Sequence, residues 1–251
     1  MTGEFKDKVA LVTGAGSGIG AAIARELATG GAELVVADLE QESANRIVEG
    51  IRTSGGRAHA FAVDVADAEA VERMVDFAVR TCGDLHLAVN NAGIGGPSEP
   101  TADYPLDGWR KVIDVNLNGV FYGMKYEIAA MLKSGGGAIV NMASILGSVG
   151  FANACAYVSA KHALLGLTKT AAMEYAAQGV RINAVGPAFI DTPLLSKNLD
   201  DQVLGQLAGL HPIGRLGTPE EVSALTCFLL SGRASFITGS YHLVDGGYTT
   251  R

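Results

Sequence analysis

The length, composition and charge of the chain exclude several classes of protein: with 251 residues, 48% of them hydrophobic and 18% charged, it is globular and can bury a sizeable core. Its formal net charge of -7 argues against nucleic-acid and anionic-membrane partners, and three cysteines at wide spacings predict neither a disulfide framework nor a zinc site. The N-terminal residues are polar and no apolar run is long enough to span a membrane, so we expect a cytoplasmic protein.

Short apolar runs along the chain predict seven strands, at 8–13, 32–38, 58–65, 85–92, 137–144, 180–187 and 240–246. The segments between most of them are apolar at every third or fourth position and end in glycine, as helices do. Strands that are apolar on both faces and joined by helices form parallel sheets covered on both sides. We therefore predict a single α/β domain over residues 1–251, a Rossmann-type doubly wound seven-stranded parallel sheet. The strand-free stretch 188–239 leaves room for a substrate lid, which we place at 191–212.

The first predicted strand runs into a glycine-rich turn. Gly14, Gly16, Gly18 and Gly20 fall between this strand and a helix start, where a pyrophosphate can approach the backbone and the helix N-terminus. The second strand ends at Asp38, where a carboxylate would accept hydrogen bonds from ribose hydroxyls. The turn alone could be structural, but the two features together favour a dinucleotide site.

Tyr157 and Lys161 stand four positions apart in a predicted helix, so the ammonium group lies on the same face as the phenol. Taken alone, such a pair is most often an ordinary surface stripe. However, Asn91 in "NNAG", Asn116 and Ser144 all fall at or behind the carboxyl ends of predicted strands. Open α/β sheets bind their ligands at that edge. The combination favours a catalytic role for the tyrosine and the lysine.

With these motifs in place, the chain resembles the short-chain dehydrogenase/reductase family over nearly its whole length. The resemblance rests on "TGAGSGIG", "NNAG", Asn116, Ser144 and "YVSAK", in order and at the family's spacing. It is closest to bacterial NADH-dependent ketone reductases and secondary-alcohol dehydrogenases. It implies NAD as the cofactor and hydride transfer between NAD(H) and a secondary alcohol or ketone, which we expect to be hydrophobic.

The resemblance implies a role for each catalytic residue. Tyr157 would exchange a proton with the substrate oxygen, Lys161 would lower the pKa of Tyr157, and Ser144 would hydrogen-bond the same oxygen. Asn116 would fix a water that links Lys161 to solvent. Two of these residues have simpler interpretations, since Ser144 could be a strand-end cap and Asn116 could correct a local kink in its helix.

The resemblance also implies which residues contact the cofactor. They are Gly14, Ser17, Gly18, Ile19, Asp38, Leu39, Asp64, Val65, Asn91, Gly93, Tyr157, Lys161, Pro187, Ile190 and Thr192. No metal site is expected, because the histidines are scattered without metal-ligand spacing. One position departs from the family, since Ala188 follows Pro187 where glycine is usual. If that turn requires a positive φ, alanine would strain it by about 1 kcal/mol.

An apolar substrate pocket and a homotetramer are further expectations of the resemblance. The residues expected to flank the pocket are Ile145, Leu146, Phe151, Phe189, Leu195, Leu204 and Leu207. We expect the helices around 104–134 and 154–178 to pack against a neighbouring subunit through apolar side chains, among them Leu164, Leu165, Leu167, Ala171, Ala172 and Met173.

Two other functions stay open. The chain could be a 3-oxoacyl-carrier-protein reductase, although its acidity and Asp38 argue against an acidic carrier and NADP(H). It could also be a catalytically silent NAD-sensing regulator. A sensor would have no need of Ser144, Tyr157 and Lys161 together, which favours the enzyme.

Overall fold

The computed structural model describes residues 3–196 and 201–250 of the chain. A seven-stranded sheet in the order β3-β2-β1-β4-β5-β6-β7 forms its centre, and every neighbouring pair of strands is parallel. The strands are β1 Val9–Thr13, β2 Glu33–Asp38, β3 Arg57–Ala62, β4 Leu87–Asn90, β5 Gly137–Met142, β6 Val180–Pro187 and β7 Tyr241–Val244. No helix among the described residues is long and apolar enough to cross a membrane.

Helices connect successive strands and cover the sheet. They are α1 Gly18–Thr29, α2 Gln41–Thr53, α3 Ala68–Cys82, α4 Leu106–Ile113, α5 Gly119–Lys133, α6 Cys155–Tyr175, α7 Pro193–Ser196, α8 Asp201–Gly209 and α9 Pro219–Leu230. A short π-helical segment, Asp114–Asn118, joins α4 to α5. The predicted lid includes α7 and α8, while its residues 197–200 lie outside the described part of the chain.

The predicted fold class, a doubly wound parallel sheet of seven strands, is confirmed. The strand ends differ from the prediction, since β3 ends at Ala62 and β4 at Asn90, before the predicted residues 65 and 92. Residues beyond these ends form loop hydrogen bonds in place of sheet pairing. Asp64 accepts from the Ala66 N–H at 2.9 Å, and the Asn91 side chain donates to the Thr13 carbonyl at 2.9 Å. Apolar character continues past the last ladder bond, so hydrophobicity alone overestimates strand length.

The hydrophobic core consists of one layer on each face of the sheet. Ala10 and Val12 of β1 pack with residues of α1, α2 and α9 on one face. Val9 and Leu11 alternate with them and pack with α3, α5 and α6 on the other face. Strands buried on both faces are therefore continuous apolar runs, as the sequence shows.

One face of α6 belongs to the core of the chain itself. Leu164, Ala171 and Ala172 are at most 5% exposed and pack in the layer beneath α6, so their predicted contact with a neighbouring subunit is wrong. The helical period identifies an apolar face but does not tell which surface covers it. Met173 is 85% exposed and is available for such a contact.

A buried polar network crosses the layer between the sheet and α5. The Asn90 side chain donates to Glu127 at 2.9 Å and to Asn141 at 3.1 Å, and Asn141 donates to Thr168 at 3.0 Å. The second carboxylate oxygen of Glu127 is buried without a hydrogen-bond partner. Burial of the charged form raises the pKa of Glu127 to about 7. When Glu127 is ionised, its buried negative charge is therefore stabilised by a hydrogen bond at only one of its two oxygens.

We expect Glu127→Gln to remove part of the pH dependence of stability. Between pH 4.5 and about 7 the folded chain keeps a proton on Glu127 that the unfolded chain has released. The free energy of unfolding therefore falls as the pH rises through this window, by up to about 3 kcal/mol. The amide does not titrate. The difference obtained by subtracting the Tm of the wild type from the Tm of the variant should therefore increase from about pH 5 to about pH 8.

The control for this prediction is Glu174→Gln, which removes one carboxylate from an exposed position of α6. Thermal unfolding of the three proteins over the same pH series provides the comparison. A constant difference in Tm between Glu127→Gln and wild type across the series would contradict the buried, proton-retaining carboxyl group.

Candidate active site

A cleft of about 570 Å³ lies at the carboxyl ends of the strands. It opens where the strand order reverses between β1 and β4, the place where doubly wound sheets bind ligands. All fifteen residues expected to contact a cofactor line this cleft: Gly14, Ser17, Gly18, Ile19, Asp38, Leu39, Asp64, Val65, Asn91, Gly93, Tyr157, Lys161, Pro187, Ile190 and Thr192. Ser144 lines it as well, whereas Asn116 is buried behind it.

The glycine-rich turn brings backbone close to backbone at the floor of the cleft. Gly14 has φ +61°, and a Cβ atom there would lie 2.9 Å from the Cα of Ala92. Ser17 precedes α1, and its side chain makes no capping hydrogen bond to the helix. The Ser17 side chain therefore does not occupy the first N–H groups of α1, and the N-terminus of a helix is suited to an anion such as a pyrophosphate.

Asp38 at the end of β2 is fixed by backbone donors. Its carboxylate accepts from the N–H of Gly16 at 2.8 Å and from the N–H of Glu40 at 3.1 Å. Among the described residues that line the cleft, the cations are Lys111 of α4 and Lys161 of α6, and neither belongs to the loop after β2. A carboxylate held in this way can accept hydrogen bonds from hydroxyl groups of a ligand.

Lys161 lies on the buried face of α6. It is 3% exposed, and its ammonium group donates to the Met142 carbonyl at 2.7 Å. The same nitrogen is 5.4 Å from the centre of the Tyr157 ring, as the spacing along the helix predicts. Burial lowers the pKa of Lys161 to about 8, because desolvation disfavours the ammonium form.

The phenol of Tyr157 faces Ser144. Burial raises the pKa of Tyr157, and a hydrogen bond with the Ser144 side chain partly offsets that rise. Desolvation is the largest effect on this pKa in the chain by itself, and the lowering expected from Lys161 in the complex with an oxidised cofactor stays a prediction. Ser144 also accepts from the Leu146 N–H at 3.2 Å. Its hydroxyl thus combines the cap that the simpler interpretation predicted with a contact to the phenol.

Asn116 acts on the "NNAG" loop and does not line the cleft. It lies in the π-helical segment, is fully buried, and pairs with the backbone of Ile94. Its oxygen accepts from the Ile94 N–H at 2.8 Å, and its nitrogen donates to the Ile94 carbonyl at 2.7 Å. A Cβ atom on Gly93 would lie 3.2 Å from Asn116 and 3.8 Å from the nitrogen of Lys161. Asn116 therefore supports the backbone next to Lys161, from an irregular helix of the kind often found at functional sites.

Ala188 is not strained. Outside glycine, positive φ values among the described residues occur at Asp7 and Asn153. The Ala188 N–H donates to the Val244 carbonyl at 3.1 Å, which fixes the turn in an ordinary conformation. The strain considered for alanine at this position is therefore absent, while its methyl group lines the cleft.

Aromatic side chains form a cluster beside the cleft. Phe189 and His211 of this cluster line a separate, smaller pocket of about 100 Å³, which shares Ala188 and Ile190 with the cleft. Phe189 lies 6.0 Å from Phe151 and 5.9 Å from both His211 and Tyr248, measured between ring centres. Sequence reasoning missed Tyr248 as a neighbour of the pocket, although it follows the last strand and so lies at the ligand-binding edge. No signal in the sequence pointed to His211, which reaches the cluster from the segment after α8.

The other residues predicted to flank the pocket divide into two groups. Leu195 of α7 lines the cleft. Ile145 and Leu146 are buried, at 2% and 8% exposure, and are absent from the described lining of the cleft, so their place beside the substrate stays a prediction. Leu204 and Leu207 lie on α8 and are absent from the described lining of the cleft. The lid at 191–212 therefore stays a prediction.

Three potential metal ligands lie together away from the cleft. Glu33 is 2.9 Å from the ring nitrogen of His59 and 3.0 Å from the guanidinium of Arg57, and it hydrogen-bonds the thiol of Cys82. Burial and the Glu33 charge raise the pKa of Cys82 to about 11, which disfavours the thiolate that a metal requires. Hydrogen bonds and ion pairing explain this cluster, and the absence of a metal site stays a prediction.

Comparison with known proteins agrees with this geometry. Residues 14–249 match the family described as "Enoyl-(Acyl carrier protein) reductase". The chain is 52% identical over 251 residues to cyclohexanol dehydrogenase of Acinetobacter sp. (strain SE19), covering 100% of this chain and 98% of that protein. It is 45% identical over 249 residues to cis-4-hydroxycyclohexanecarboxylate dehydrogenase of Sinomonas cyclohexanicum, covering 99% of each.

The fold is shared with solved structures. The crystal structure of levodione reductase superimposes with a TM-score of 0.95 at 34% identity, covering 98% of this chain and 99% of that one. Sequence and structure thus match along almost the entire chain, including the segments that form the cleft. The chain belongs to the short-chain dehydrogenase/reductase family, as an oxidoreductase that acts on CH–OH groups.

Proposed function

We propose that the chain interconverts a ring-shaped secondary alcohol and its ketone with NAD(H), using Ser144, Tyr157 and Lys161. The observation that carries this proposal is the buried ammonium of Lys161 beside the Tyr157 ring, with Ser144 hydrogen-bonded to the phenol, in one cleft. The exposed start of α1 and the fixed Asp38 carboxylate fit a dinucleotide. Bound NAD(H) accepts or supplies the hydride.

The side chains in the cleft handle the proton and the charge on the substrate oxygen. Tyr157 is protonated at neutral pH, because burial raises its pKa, so it can donate a proton to the oxygen of a ketone under reduction. Ser144 can hydrogen-bond the same oxygen and stabilise the negative charge that develops there. In the oxidation direction Tyr157 must act as a base. The Lys161 ammonium, with a pKa of about 8, favours the phenolate below that pH.

We expect Tyr157→Phe to lower kcat by roughly 10²- to 10⁴-fold, because the variant loses the transferable proton but little volume. Binding of NADH, followed by fluorescence titration, should be unchanged. The matched control is Tyr175→Phe, at the far end of the same helix, which should retain wild-type turnover. A Tyr157→Phe enzyme that folds normally by circular dichroism and keeps most of its activity would contradict the role of the phenol.

Asp38 supports NAD(H) over NADP(H). We expect kcat/KM to favour NADH clearly, because the carboxylate accepts from ribose hydroxyls and repels a 2′-phosphate. Asp38→Ala should reduce the ratio of kcat/KM with NADH to kcat/KM with NADPH by about tenfold or more, since the variant no longer repels the 2′-phosphate. The control is Glu40→Gln, which removes an exposed charge two residues away. Equal or better efficiency of the wild type with NADPH would refute the assignment.

The names of the two relatives support a ring-shaped substrate. Each name refers to a compound that has a hydroxyl group on a cyclohexane ring. The aromatic cluster around Phe189 lies next to Ala188 and Ile190 of the cleft, and its apolar flat surfaces suit a ring-shaped substrate. This combination also argues against a carrier-linked 3-oxoacyl substrate.

We expect cyclohexanol to be oxidised with a kcat/KM about tenfold or more above that of hexan-2-ol, because a rigid ring loses less entropy on binding to apolar walls. Phe189→Ala should narrow this preference, whereas Phe236→Ala, at a fully exposed position, should not change it. Steady-state assays on both alcohols and on a 3-oxoacyl thioester provide the comparison. Faster turnover of the thioester than of cyclohexanone would refute the proposal and favour the carrier-protein reductase.

We further propose a homotetramer in the cytoplasm, with a lid formed by the segment 191–212. Exposed apolar side chains of α5 and α6 support subunit contacts, with Phe121 48%, Leu132 37% and Met173 85% exposed. The cysteines are free thiols, which suits a reducing compartment.

A further inference from the structure

The loop that carries Ser144 is held by a side chain from the far edge of the sheet. After β5 the chain forms a short 3₁₀ turn, Ile145–Gly147, with Ser144 before it and Ser148 after it. The hydroxyl of Tyr241, in β7, donates to the Ser144 carbonyl at 2.5 Å. The Ser148 hydroxyl, which donates to the Ile145 carbonyl at 3.0 Å, lies beside the same phenol. One phenol therefore contacts both ends of the turn.

The path of this side chain requires glycine in the intervening strand. β6 lies between β5 and β7, and the Tyr241 ring crosses it at Gly186. A Cβ atom on Gly186 would lie 2.4 Å from the ring carbon Cε2 of Tyr241 and 2.4 Å from its hydroxyl oxygen. Gly186 is not among the glycines with positive φ, so its backbone conformation is open to any residue. The need for glycine here is therefore one of space, and Gly186 and Tyr241 form a matched pair.

The Ser144 hydroxyl makes two contacts. It accepts from the Leu146 N–H within its own turn, and it hydrogen-bonds the phenol of Tyr157. Which way the hydroxyl faces depends on the position of the Ser144 backbone, which has just left the sheet. The Ser144 carbonyl is held by the Gly147 N–H at 2.8 Å, within the turn, and by Tyr241 from outside it. Tyr241 thus ties the start of the turn to β7, next to the Ala143 N–H, which donates to the Val185 carbonyl of β6 at 2.8 Å.

We propose that Tyr241 is a positioning residue for the reaction, which holds the Ser144 loop so that the serine hydroxyl faces Tyr157, and that Gly186 provides the space for its ring. This inference rests on the proposed role of Ser144 in catalysis. Tyr241 acts through the backbone of Ser144 and has no proton to exchange with the substrate in this arrangement.

The first test is Tyr241→Phe, which leaves the ring over Gly186 and removes the hydroxyl. We expect kcat to fall about tenfold, equivalent to about 1.4 kcal/mol, with KM for NAD⁺ unchanged. Tyr175→Phe serves as the matched control and should retain wild-type kcat. Wild-type kcat in Tyr241→Phe, in an enzyme where Ser144→Ala is strongly impaired, would overturn this inference alone and leave the proposed function standing.

A double-mutant cycle distinguishes positioning from a general structural effect. If Tyr241 acts through the Ser144 hydroxyl, Tyr241→Phe should lower kcat by less than about twofold when Ser144 is already alanine. A loss that is as large in the Ser144→Ala background as in wild type would overturn the inference. Full activity of Ser144→Ala itself would refute the proposed role of Ser144, and the inference with it.

The pairing of Tyr241 with Gly186 can be tested separately, by measuring the Tm of variants. Gly186→Ala should lower the Tm and kcat of the wild type, because the added methyl group collides with the Tyr241 ring. In a Tyr241→Ala background, where the ring is gone, Gly186→Ala should change the Tm little. An equal loss of Tm in both backgrounds would show that glycine is needed there for another reason and would overturn the pairing.

Discussion

The site depends on a buried ammonium group held at the carboxyl end of the central strands. Lys161 is almost fully buried, and its nitrogen is 2.7 Å from the Met142 carbonyl at the end of β5. Burying a cation is costly unless polar groups surround it. The fold meets this requirement by bringing a strand end, the "NNAG" loop and α6 to one place. Gly93 leaves room beside the ammonium, and Asn116 fixes the backbone next to it through Ile94.

The same edge of the sheet creates the dinucleotide site and the proton-handling groups. Parallel strands end together, so Asp38 at the end of β2, Asn91 after β4 and Ser144 after β5 share one cleft despite their distance along the chain. The sequence therefore predicts this neighbourhood well. Each of these residues follows an apolar run, and topology alone brings the ends of such runs together.

The sequence predicts less wherever a property depends on burial by distant elements. The pKa of Tyr157 is raised because the cleft desolvates the phenol, which the spacing to Lys161 could not indicate. Leu164 and Ala171 belong to the core because of how α6 packs on the sheet, not because of their helical period. The network of Glu127, Asn90 and Asn141 joins three elements that only the folded chain brings together.

The central claim, hydride transfer between a ring alcohol and NAD(H), can be tested by following one atom. Cyclohexanol with deuterium on its carbinol carbon is incubated with the protein and NAD⁺, and both products are analysed by NMR. We expect cyclohexanone and NADH in equal amounts, with the deuterium at C4 of the nicotinamide ring. Cyclohexanone formed without labelled NADH, or no cyclohexanone from a folded protein that binds NAD⁺, would contradict the account.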